Sequence, residues 1–76
     1  MEEEIIKIIS KAISNKVITI ETNSENLEEW DSLGHLTILS ALDKASGGKI
    51  NKISEFNDVK SIKEIISLCK LHNLEF

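Results

Sequence analysis

The apolar residues from Leu33 to Ala45 recur at helical spacing, and the pattern begins immediately after Asp31-Ser32. Asp and Ser favour the entrance of a helix because their side-chain oxygens accept backbone N–H bonds there. Ser32 is thereby placed at the positive end of a helix dipole, beside unpaired amides and next to Asp31. Such a position suits a phosphate ester, since the dipole and the free N–H groups both favour negative charge. Nothing nearby in the sequence makes Ser32 a nucleophile in its own right. Taken without context, a plain helix cap is the simpler role.

The rest of the chain also reads as helices. Over residues 2–14, Ile5, Ile6, Ile8, Ile9, Ala12 and Ile13 recur at spacings of three and four. Glu2 to Glu4 complement that helix's N-terminus, and Asn15 ends it. Val17 to Ile20 is β-branched but has no partner strand, so it reads as an extended loop segment. Residues 21–26 are polar and turn-prone, and Leu27 and Trp30 are the expected anchors that pin this long loop. In the serine helix, Ser32 to Ala45, a helical wheel gathers Ile38, Leu39, Leu42 and Ala45 on one side, with Leu36 at the edge. Leu33, Thr37, Ser40 and Lys44 fall opposite, and Gly47-Gly48 stops the helix. Ile50 and Ile53 lie in a linker, and residues 54–58 suit one short helical turn anchored by Phe56. Ser61-Ile-Lys-Glu64 matches a capping box, followed by Ile62, Ile65, Ile66 and Cys69 on one stripe reaching Leu71.

With 76 residues the chain is expected to form one small domain over 1–76, and its core is thin. Aromatic residues are only 4%, so Ile and Leu must supply the packing. A single cysteine excludes an internal disulfide and gives no metal-ligand spacing, so no metal is expected. No apolar run is long enough to span a membrane. The Met-Glu-Glu-Glu start lacks a signal peptide's basic region, so a cytoplasmic location and no membrane insertion are expected. The net charge is −4 and Arg is absent, which argues against nucleic-acid binding. The acidity precedes the serine. Residues 1–31 hold eight acids against three lysines, whereas residues 32–76 hold five against six.

Asp31-Ser32-Leu33, followed by Leu36, Leu39 and Leu42 on a helix, resembles the acyl carrier proteins and peptidyl carrier domains. The order of long helix, long loop, serine helix, short helix and final helix extends the resemblance over nearly the whole chain. It implies an all-α, four-helix carrier bundle of three longer helices and one short one. It also implies that Ser32 carries 4′-phosphopantetheine, transferred from coenzyme A by a phosphopantetheinyl transferase, with Asp31 and Leu33 helping to present it. The protein would then be no enzyme. It would hold an acyl or aminoacyl group as a thioester and deliver it to other enzymes of fatty-acid, polyketide or specialised biosynthesis. Its partners would be a loading ligase or transferase and downstream synthases, and a monomer is expected.

The resemblance implies docking through the face that carries Leu33, Thr37, Ser40 and Lys44. That face is not acidic as in the common fatty-acid carriers, so the acids upstream (Glu25, Glu28, Glu29, Asp31) are expected to contribute with Leu33. A carried chain would be partly sequestered by Leu36, Leu39, Ile50, Phe56, Ile62 and Ile65, unless these form a solid core that opens only on loading. Ile53 to Phe56 is similar to D-alanyl carrier proteins, which keeps a D-alanyl or peptidyl carrier open. A different class, a small helical interaction module that is never modified, also stays open. His35 reads as a partly buried packing residue and Cys69 as a buried small hydrophobe rather than a reactive thiol.

Overall fold

A computed structural model describes residues 2–13 and 17–76. Among these, the regular structure consists of α1 (Glu2–Ala12), α2 (Ser32–Ala45), a 3-10 helix (Ser54–Asp58) and α3 (Ile62–Leu71). Ser14 and Asn15, expected to close the first helix, lie outside the described residues. Where a short fourth helix was expected, the chain forms this 3-10 stretch instead, because its amides close i→i+3 bonds, Phe56 N–H to the Ile53 carbonyl and Val59 N–H to the Phe56 carbonyl.

α1 packs on α2 and touches α3, while the 3-10 helix packs on α3. Ile5 and Ile9 of α1, Ile38 and Leu42 of α2, and Ile62, Ile65 and Cys69 of α3 are fully buried. Phe56 is the one bulky ring among these fully buried side chains, as the low aromatic content requires. Ala45 does not join this core. It is exposed, and with Ile8, Ala12 and Ala41 it borders a shallow groove against α1.

Both long C-termini close in the same way. Gly47 stands in the left-handed region (φ 75°), and the amides of Gly48 and Gly47 return to Asp43 and Lys44. After α3 the left-handed residue is Asn73 (φ 55°), with Leu74 N–H on the Cys69 carbonyl at 2.8 Å. Leu74 then buries itself beside the core.

The loop before α2 is tied down rather than free. Leu27 and Trp30 are buried, as expected of anchors. Val17 to Ile20 forms no strand. Residues 22–24 instead lie against the entrance of α3: Ser24 N–H donates to Lys60 O (2.8 Å), Ile62 N–H donates to Thr22 O (3.0 Å), and Asn23 pairs with Ser61 in one antiparallel bridge. Asn23 Oδ1 accepts from Glu25 and Asn26, closing the turn between. Lys63 meets Glu21 at 3.1 Å on the surface. No helix among the described residues is long and apolar enough to cross a membrane.

Candidate functional site

Asp31, not Ser32, caps α2. Its backbone is extended, its carboxylate accepts the Gly34 N–H at 2.9 Å, and its carbonyl accepts the His35 N–H at 2.8 Å. Ser32 is therefore the first helical residue, exposed, and its hydroxyl has no hydrogen-bond partner among the described residues. The amides of Ser32 and Leu33 have no acceptor within the helix, as at any helix start.

Gly34 is the residue that lets the loop approach this helix head. It is buried, and a Cβ built on it would overlap the Glu29 carbonyl. Any larger residue would push residues 29–31, and the cap with them, off the first turn.

A groove of about 510 Å³ runs beside Ser32. It is lined by Ser32, His35 and Leu36 of α2, by Trp30 and Asp31 just ahead of them, by Ser24, and by Asn57 to Lys60. His35 does more than pack. The Trp30 indole N–H donates to its Nδ1 at 3.3 Å, and its Nε2 lies 3.0 Å from the Asn57 carbonyl oxygen. An indole nitrogen can only donate, so Nδ1 is the acceptor and the proton sits on Nε2, donated to Asn57.

The expected docking residues Leu33, Thr37, Ser40, Lys44, Glu25, Glu28 and Glu29 are all exposed, Leu33 at 76%. The Thr37 hydroxyl bonds back to the Leu33 carbonyl at 2.9 Å. The expected chain-lining set is not brought together at an open surface. Ile50, Phe56, Ile62 and Ile65 are at most 2% exposed in a packed core, and Leu39 packs against it. Leu36 alone of the six borders the groove, being 61% exposed. The helical wheel grouped these residues by face, but a face cannot tell a cavity wall from a filled interior.

Burial pushes the Cys69 thiol up from 9.0 to about 11, by desolvation, and leaves it a poor nucleophile. Among the described residues no cluster of His, Cys, Asp or Glu has the arrangement to hold a metal ion. Trp30 and Asn57 to Lys60 in the groove lining, and Gly34 under the loop, were not expected as parts of this site. An isolated glycine inside a helical pattern was the available signal for Gly34.

No family model, curated protein or solved structure matches the chain at a significant level.

Proposed function

We propose that the protein is a non-catalytic carrier of the acyl-carrier type, with Ser32 as the attachment residue for phosphopantetheine. The observation that carries this reading is the division of labour at the head of α2. Asp31 occupies the capping role, so the Ser32 hydroxyl is left exposed and unengaged beside helix-terminal amides. A phosphodiester on Ser32 would sit at the positive end of the helix, where negative charge is favoured. Bound there, the group supplies a terminal thiol that carries an acyl or aminoacyl unit as a thioester.

The chain's own residues do the presenting. Asp31 fixes the first turn through Gly34, and Gly34 lets the acidic loop close over that turn. Leu33 projects an apolar side chain one position from the attachment oxygen, while Glu28 and Glu29 supply charge alongside. A transferase, a loading enzyme and downstream synthases would meet this surface. Four-helix carrier architecture is part of the proposal, with the 3-10 helix as its short element.

Intact-protein mass after incubation with coenzyme A and a broad-specificity phosphopantetheinyl transferase tests the reading. The wild type should gain one phosphopantetheine, and Ser32→Ala none. No gain with two competent transferases would overturn the carrier reading and favour an unmodified interaction module.

A further inference from the structure

One side chain bridges the elements that border the groove beside Ser32. His35 spans the seam between the first turn of α2 and the 3-10 helix, held at Nδ1 by Trp30 and at Nε2 by Asn57. Asn57 adjoins Phe56, which is 1% exposed at the centre of the core. Ile38, Leu42, Ile62 and Ile65 are 0% exposed. A chain tethered at Ser32 and heading inward would have to break both His35 bonds, the one from Trp30 and the one to Asn57. It would also have to move the 3-10 helix and displace a close-packed interior. The groove's lining includes Ser24, Asp31, Asp58 and Lys60, polar groups of both signs, beside the apolar Trp30, Leu36 and Val59.

We infer that the His35 strap keeps whatever is carried at Ser32 in the surface groove, so that the cargo is a short or polar acyl group and a long alkyl chain is not sequestered in the core. The inference names the cargo class of the carrier reading and rests on it. His35 acts as a specificity-determining residue by closing the inward route, without touching the attachment oxygen.

Alkyl conjugates test it without any transferase. In Ser32→Cys protein, the introduced thiol is exposed and reacts at neutral pH with iodoacetamides bearing ethyl, octyl or dodecyl chains. Cys69 stays unreacted because it is buried and its thiol is pushed up to about 11. Trp30, the sole tryptophan, borders the groove and reports occupancy through its emission. With His35 present, the melting temperature is expected to be the same for all three chains. With His35→Ala added, octyl and dodecyl should raise the melting temperature above the ethyl conjugate and shift the emission to the blue. Stabilisation that grows with chain length while His35 is intact would overturn the inference, and that arm stands alone if His35→Ala does not fold. Failure of phosphopantetheine transfer to Ser32 would overturn the carrier reading instead, and the conjugate series reports on the strap in either case.

Discussion

The entrances of α2 and α3 begin alike and then diverge. In each, the capping side chain accepts the N–H three residues on: Asp31 from Gly34 at 2.9 Å, Ser61 from Glu64 at 3.1 Å. The next position differs in kind. Ser32 exposes a hydroxyl with no partner among the described residues, whereas Ile62 is fully buried. One position further, Leu33 is exposed and apolar, whereas Lys63 is exposed and paired with Glu21. At the third position Glu64 reaches back to the Lys60 N–H at 2.7 Å, while Gly34 yields its space to the Glu29 carbonyl. The α3 entrance is sealed by residues 22–24 and serves stability. The α2 entrance has no such cover and is left open.

The largest expected difference lies between the buried apolar residue of the α3 entrance and the exposed apolar residue of the α2 entrance. Ile62→Ala should cost about 2–5 kcal/mol, the range for emptying a filled core site. Leu33→Ala should change stability by less than about 0.5 kcal/mol, as at other exposed positions. Urea denaturation of the two variants measures both, and equal losses would break the comparison.

Gly34→Ala comes next. Alanine ordinarily strengthens a helix relative to glycine by about 1 kcal/mol. Here it should destabilise by about 1–3 kcal/mol through overpacking against the Glu29 backbone. A stabilised variant in the same denaturation series would show that the loop does not bear on the helix head.

The two caps should respond alike, since they make the same bond. Asp31→Ala and Ser61→Ala are each expected to lose about 1 kcal/mol, and Asp31→Asn to retain most of that. Thermal melting of the three variants is the check, and a negligible loss at Asp31 would return the capping role to Ser32. The smallest effect belongs to the surface pair. Lys63→Gln should shift stability by no more than about 1 kcal/mol, because both partners of the Lys63–Glu21 bridge are mostly exposed. Its measured value at low and high salt would size any residual contribution.

Much of this contrast could be read from residue order. The helical period placed α2 and α3, Asp and Ser marked their starts, and Gly47 marked an end, because these are local preferences of adjacent residues. The Ser61-to-Glu64 box was visible too, although Glu64 reaches Lys60 rather than Ser61 itself. What escaped depends on distant partners. His35 meets Asn57, twenty-two residues away, and no local pattern announces that contact. Ala45 lay on the apolar side of a helical wheel and is nonetheless exposed, because a wheel does not show where the neighbouring helix stops. Asn73 ends α3 in a conformation usually left to glycine, so the turn that buries Leu74 passed unnoticed.

The most direct measurement is to map the site of phosphopantetheine on the loaded protein, by peptide mass analysis of wild type, Ser32→Ala and Ser61→Ala treated in parallel. The modification is expected on the peptide containing Ser32 in the wild type and in Ser61→Ala, and none in Ser32→Ala. Modification that persists in Ser32→Ala, or a wild type that competent transferases leave untouched, would contradict it.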